Sequence, residues 1–303
     1  MSISHRQRSP RRHARVVTAV LALTALAVTG CEWQNMRPPG DGLLRYRDEV
    51  FTSTVVTKDL VYGSATNQSG QVQALTLDLY RPPATDTVTE RPAIVWIHGG
   101  AFQAGDKSSA ELVDQATVFA KKGFVSISIN YRLVTTGCLG TISSACLQGI
   151  VDARHDAQAA VRWLRANAAT YGIDPTRIAA GGSSAGAITA LNVAYGPEDV
   201  GASGNPGYDS TIRAAVSLSG AKILTTPNAG EAAVLLLHST GDPVVPYQWA
   251  TNTVTAAETA GTYLEITSWE ETSHVPYTAH RAEVLSQTSN FLYWNLDLAH
   301  AAQ

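Results

Sequence analysis

Thr54–Tyr62 is a strand-like run, and in Gln73–Tyr80 Leu75, Leu77 and Leu79 fall on every second position. That period belongs to strands with one buried face. The turn between them, Gly63–Gly70, predicts a hairpin, and Pro82-Pro83 closes it. Beyond Pro83 the pattern changes. Ala93–Ile97 is a short run apolar on both faces, Phe124–Ile129, Ala214–Leu218 and Ala233–Leu237 are further strand-like runs, and Tyr263–Trp269 reads as a last strand. Helical spacing lies between them. Ser109–Lys122 stops at Gly123, and Val151–Ala169 repeats Ala157, Ala160, Val161, Leu164 and Ala168 on one face. The C-terminal helix is expected over Thr278–Asn295. Buried strands alternating with helices predict an α/β fold. Its mostly parallel central sheet has helices on both faces and an N-terminal antiparallel hairpin. No internal repeat or second domain shows in the pattern.

The first thirty residues stand apart. Arg6, Arg8, Arg11, Arg12 and Arg15 precede an apolar run from Val16 to Val28, with no acidic residue among them. The run is too short to span a bilayer comfortably and matches an export signal. Its end, Val28-Thr29-Gly30-Cys31, resembles the lipobox of bacterial lipoprotein signals, which implies cleavage before Cys31 and lipid on its sulfur. The expected organisation is therefore a signal over 1–30, a tether over 31–50 with Pro38, Pro39 and Gly40, and a catalytic domain over 51–303. The protein is expected to be exported and held on the extracytoplasmic side of a membrane, or secreted. Losing five arginines and no acid takes the net charge from −3 to −8, which argues against nucleic acid as a partner. The other two cysteines, Cys138 and Cys146, lie in a Gly/Ser/Thr-rich stretch and predict a disulfide in an exported chain. No histidine pair near them completes a metal site, and neither a metal nor a cofactor is expected.

The candidate chemistry centres on Gly182-Ser183-Ser184-Ala185-Gly186, where an apolar strand meets a helical pattern. A serine on so sharp a turn needs glycines two places to either side, where a Cβ would strike backbone. The turn lifts the Ser184 hydroxyl above the sheet. It also aims the Ala185 amide where negative charge would develop. Upstream, His98-Gly99-Gly100-Ala101-Phe102 follows a buried strand, and its paired glycines let backbone amides turn outward as further anion donors. Asp242 follows the strand Ala233–Leu237, on the turn Gly241-Asp242-Pro243, and His274 follows the last strand. An acid and an imidazole at successive strand ends can activate a hydroxyl. Glu270, Glu271 and Asp209 are the competing acids, but the first two lie too near His274 in sequence to reach behind its ring. His280, His155 and His300 are weaker histidines, the last two expected to be solvated. Asp152 and Asp156 are expected to pair with Arg132 or Arg154.

Together with the Asn130-Tyr131-Arg132-Leu133 run, these motifs resemble the α/β-hydrolases of the carboxylesterase/lipase type. They are most similar to esterases with a His-Gly-Gly oxyanion loop, the hormone-sensitive-lipase-like group included. The resemblance covers about residues 50–296. It implies a Ser184–His274–Asp242 triad, oxyanion amides from Gly99, Gly100 and Ala185, and supporting roles for His98, Gly182 and Gly186. It implies a serine carboxylesterase working through an acyl-enzyme on a small-molecule ester. A serine peptidase of the same fold and a non-catalytic binding lipoprotein are the alternatives. Two features depart from the hormone-sensitive-lipase-like group: the Cys138–Cys146 loop after the Tyr-Arg-Leu run, and the lack of an extended N-terminal cap. The segment between Ala221 and Ala233, with Pro227, Asn228 and Gly230, suits a loop rather than a helical lid. An open site and a preference for short acyl chains follow as expectations.

Overall fold

The chain enters its sheet through two antiparallel strands, β1 (Val55–Thr66) and β2 (Val72–Arg81). A computed structural model describes residues 42–135, 138, 142–199 and 201–301. Next come β3 (Arg91–Ile97) and β4 (Val125–Ile129), and β4 slots between β2 and β3. From β3 the sheet grows in one direction through β5 (Ile173–Ser183), β6 (Ala214–Leu218), β7 (Ala233–Ser239) and β8 (Leu264–Trp269), all parallel. The strand order is β1-β2-β4-β3-β5-β6-β7-β8. This is the α/β-hydrolase arrangement of a mostly parallel sheet with an antiparallel N-terminal pair.

The described helices are α1 (Ala110–Lys121), α2 (Ser144–Ala166), α3 (Ala168–Tyr171), α4 (Ala185–Tyr195), α5 (Tyr247–Ala260) and α6 (Tyr277–Asn295). Strand alternation divides them between two cores. In β3, Ala93, Val95 and Ile97 join the core under α2, α4 and α5, where Ile150, Val161, Ile188, Leu191 and Ala250 lie. Ile94 and Trp96 point the other way, to Leu112 and Phe119 of α1 and Leu292 of α6. Both sheet faces are thus removed from water, and the apolar runs of the sequence follow from that. The catalytic candidates stand where the parallel strands end. All six ends from β3 to β8 open on one edge, and the loops leaving them converge there.

Two boundaries differ from the sequence reading. The tether does not extend to residue 50. Tyr46 is fully buried, edge-on to Phe124 at 5.6 Å, and its amide donates to Lys122 O at 2.7 Å. Arg45 holds Asp86 with both terminal nitrogens, at 3.1 and 2.6 Å. One aromatic and one arginine fix this segment with no periodic signal in the sequence. Residues 31–41, with Cys31 and the signal over 1–30, lie outside the described residues. The second difference is α2, which starts at Ser144 instead of Val151. Ser143 caps it, its hydroxyl accepting from the Cys146 amide at 3.1 Å. The Cys138–Cys146 disulfide, with Cα atoms 5.0 Å apart, therefore ties a loop to the first turn of a helix.

Candidate active site

The turn at Ser184 is as tight as the glycine spacing predicts. Ser184 has φ 51° and ψ −117°, a conformation that costs an L-residue on the order of 1–3 kcal/mol. The Ser184 amide donates to Leu218 O at 2.9 Å, and its carbonyl accepts from the Ile188 amide at 2.9 Å, so neighbouring elements hold the strain. A Cβ on Gly186 would stand 1.9 Å from Ile97 O, and one on Gly182 would stand 2.4 Å from it. Both glycines are needed because the end of β3 presses against the turn.

The three expected side chains meet. Ser184 Oγ donates to His274 Nε2 at 2.8 Å, and His274 Nδ1 donates to Asp242 at 2.8 Å (Oδ2) and 3.0 Å (Oδ1). Asp242 Oδ1 also accepts the Val244 and Val245 amides, at 2.8 and 3.0 Å. The Asp242 side chain is fully buried, while that of His274 keeps 21% of its surface in contact with solvent. The loops that carry them are stitched together. The Gly241 amide donates to Glu271 O at 2.9 Å. The Val275 amide donates to Ser219 Oγ at 3.0 Å, on the loop beside the serine turn.

The expected anion donors lie close by. Ala185 opens α4 directly after Ser184. An added Cβ on Gly99 would sit 3.3 Å from Ser184 Cβ. Gly100 has φ +115°, where a side chain would run into Ala104 O, and Ala101 and Phe102 follow at φ 53° and 61°. This run of left-handed residues turns successive peptides over. It is held by Ala104 and Gln103 amides on Gly100 O, by Tyr131 OH on His98 O at 3.0 Å, and by Val134 N on Phe102 O at 2.8 Å. His98 stacks on Tyr131 at 4.3 Å and contacts Gly99 O through Nδ1, and burial pushes its pKa down. The Asn130-Tyr131-Arg132 run is thus the frame of the His98–Phe102 loop. Asn130 Oδ1 accepts the Lys107 amide, and Arg132 forks onto buried Asp156.

The remaining candidates lie elsewhere. Glu271 accepts from Ser239 and faces His280, away from His274. Asp209 caps Thr211 and pairs with Arg165. His280 stacks on Trp269. His155, expected to be solvated, is half-buried against Asp199 at 2.8 Å, a partner 44 residues along the chain. His300 is exposed. Asp152 and Asp156 both pair with Arg132. Among the described residues, no group of three or more His, Cys, Asp or Glu is arranged to hold a metal ion.

Three contributors escaped the sequence reading. Glu111 in the first turn of α1 reaches Ser183, the residue before the turn serine, and accepts from Gln115 Nε2 at 3.1 Å. Burial raises its carboxyl from 4.5 to about 7. On the same helix face, Asp114 accepts from Tyr277 OH and pairs with Arg281, just past His274. His238 is fully buried beneath Asp242, its Nε2 on Val245 O at 2.9 Å, and burial lowers its pKa. A glutamate on a helix and a histidine inside a strand carry no sequence signal that separates these roles from ordinary ones.

The sequence and the fold have counterparts in known proteins. A family model described as BD-FAE matches residues 77–221, and one described as TAP-like protein matches 211–293. The chain is 29% identical over 160 residues to Lipase 4 of Diutina rugosa, covering 52% of this chain and 28% of that protein. It is 32% identical over 160 residues to the bile salt-activated lipase of Mus musculus, covering 51% and 25%. The chain thus matches little more than a quarter of the length of these curated relatives. Among solved structures, the propionate-bound thermophilic esterase of Thermogutta terrifontis superposes with a TM-score of 0.67 at 24% identity, over 86% of this chain and 99% of that one. The same esterase phosphorylated by paraoxon gives 0.64 at 25% identity, over 84% and 97%.

Proposed function

The chain is an α/β-hydrolase of the carboxylesterase/lipase type, and from that premise we propose that it is a serine carboxylesterase acting on small-molecule esters of short acids. One observation carries the reading. Ser184 Oγ, on a strained turn, lies 2.8 Å from an imidazole that a buried carboxylate orients from behind. In the proposed reaction His274 Nε2 takes the Ser184 proton as Oγ bonds to the ester carbonyl carbon. The carbonyl π electrons move to its oxygen, and the amides of Gly99, Gly100 and Ala185 receive that charge. Asp242 keeps the ring in the tautomer with its proton on Nδ1 and stabilises the imidazolium. Collapse breaks the bond to the alcohol oxygen, which leaves with the proton from Nε2. Water then repeats the sequence on the acyl-enzyme and releases the acid.

Short acyl groups are proposed because residues 219–232, between β6 and β7, contain no helix and build no lid. Each methylene left in water forgoes about 0.8 kcal/mol. We further propose that Cys31 carries lipid and holds the enzyme on the outer side of a membrane.

The decisive experiment combines p-nitrophenyl esters from acetate to palmitate with paraoxon labelling. Wild-type protein is expected to favour acetate to butyrate and to gain one diethylphosphoryl group on Ser184. Ser184→Ala is expected to lose on the order of 10⁵–10⁶-fold in kcat and all labelling. Full turnover by a folded Ser184→Ala protein would end the proposal.

A further inference from the structure

Lys222 sits on the loop that leaves β6. Four residues before it, Leu218 O receives the Ser184 amide, and three before it, Ser219 Oγ receives the amide next to His274. At no more than about 3.5 Å per residue, the backbone of Lys222 is within about 14 Å of Leu218, whose carbonyl holds the turn serine. The Lys222 amide is fixed on Thr253 Oγ1 of α5 at 3.0 Å. Its side chain lines a groove of about 280 Å³ whose other walls are Ile142, Ile223, Trp249 and Asn252. A second hollow of about 470 Å³ continues from Lys222 and Asn252 along α5.

The groove has a definite chemistry. Ile142 and Trp249 expose 46% and 38% of their surfaces there, so its rim is apolar. Among the described residues its one charge is the Lys222 ammonium, and no acid among them lines either hollow. The side chain is half-buried. Among the described residues its Nζ has a single long contact, to Thr225 O at 3.4 Å. Acids outnumber bases in this chain, 25 to 22, and among the described residues most of the other cations are paired with acids. A lysine left without a carboxylate, in a concave site on the loop that braces the nucleophile and the histidine, has its counter-charge still to come. An ammonium on a flexible stem accepts a carboxylate from several directions, and an apolar rim strengthens the attraction by thinning the water around it.

We propose that Lys222 is a specificity-determining residue that selects esters bearing a carboxylate remote from the scissile bond. The inference rests on the esterase reading above. The anion can enter on the acid or the alcohol side of the ester, and the groove recognises the same group in either case. Trp249 and Ile142 take the hydrocarbon between the two functions, so the spacing between ester and carboxylate is itself selected.

The test compares methyl monoesters of dicarboxylic acids, from succinate to sebacate, with their uncharged monoamide counterparts. A parallel pair carries the carboxylate or carboxamide on the alcohol side of a butyrate ester. The ratio of kcat/KM, charged over uncharged, is expected to reach about tenfold at one chain length. It should fall towards one in Lys222→Gln, recover in Lys222→Arg, and shrink in 0.5 M salt, since screening weakens a half-exposed pair. A ratio at or below one in the wild type, or a ratio unchanged by Lys222→Gln, overturns the proposal. Turnover of p-nitrophenyl acetate in the same preparations separates the two readings. If it proceeds while the ratio stays at one, this inference fails alone, and if nothing is hydrolysed, both fail.

Discussion

Replacing Asp242 by asparagine alters one atom, and the consequences can be followed bond by bond. Oδ1 of Asp242 accepts two backbone amides, from Val244 and Val245, and Oδ2 faces His274 Nδ1 at 2.8 Å. The asparagine oxygen has to take the place of Oδ1, because an NH₂ group there would oppose two N–H donors in a fully buried pocket. The NH₂ then faces His274. The ring satisfies it by presenting a bare Nδ1, and its proton moves to Nε2. That nitrogen is the one 2.8 Å from Ser184 Oγ. It no longer offers a lone pair to the hydroxyl, and no buried charge remains to support an imidazolium. By the logic of triads in general, kcat should fall about 10⁴-fold, equivalent to about 5.5 kcal/mol. The fold should survive, since shape and both backbone bonds are kept. Steady-state hydrolysis of p-nitrophenyl acetate, with a thermal melt of the same sample, measures both quantities. Glu271→Gln is the control, with an expected change under threefold, because Glu271 bonds Ser239 and not His274. If Asp242→Asn keeps more than a tenth of the activity, or Glu271→Gln falls as far, then Asp242 is not the orienting acid.

The other expectations are narrower. Gly186→Ala brings a Cβ to 1.9 Å from Ile97 O, so the melting temperature should drop by about 10 °C or more, and a neutral result on calorimetry would contradict the packing at the turn. Cys138→Ala/Cys146→Ala opens a loop of sequence separation 8, which costs about 2.5 kcal/mol in the chain-entropy model, measurable by urea titration. The Glu111 carboxyl is raised from 4.5 to about 7 in the folded protein, so the native state binds more protons than the unfolded one between those values. Stability from this group is full below pH 4.5 and is lost as pH rises towards 7. Glu111→Gln should therefore flatten the fall in melting temperature between pH 5 and pH 8, and parallel curves for mutant and wild type would show that the group does not titrate there.

How much could be seen in advance depended on whether a residue announces itself by pattern or only by partner. Ser184, Asp242 and His274 stand just after strand ends, and strand ends are marked by apolar runs that stop. Gly182 and Gly186 are legible because only glycine fits beside the end of β3. Tyr46 and Arg45 look like tether because a single buried aromatic has no period, and their partners, Phe124 and Asp86, are far along the chain. The first turns of α2 were missed because Ser143, Ser144 and Gly149 look like loop composition, while the cap that starts the helix is a side-chain bond. Glu111 has the spacing of a solvated helix face, and what buries it is the turn at Ser183, seventy-odd residues later.

Helix α1 touches the site twice without contributing to its chemistry. Glu111 holds the residue before the nucleophile, and Asp114, one turn on, holds Tyr277 and Arg281 beyond the histidine. The nucleophile and its base therefore share one mechanical support, although Ser184 and His274 are 90 residues apart in sequence. An opening of α1 ahead of the sheet is expected to release both in one event. On heating, catalytic competence should vanish as a unit while the parallel strands are still paired. Amide exchange in α1, at the Ser184 turn and around Tyr277 should then follow a single opening equilibrium.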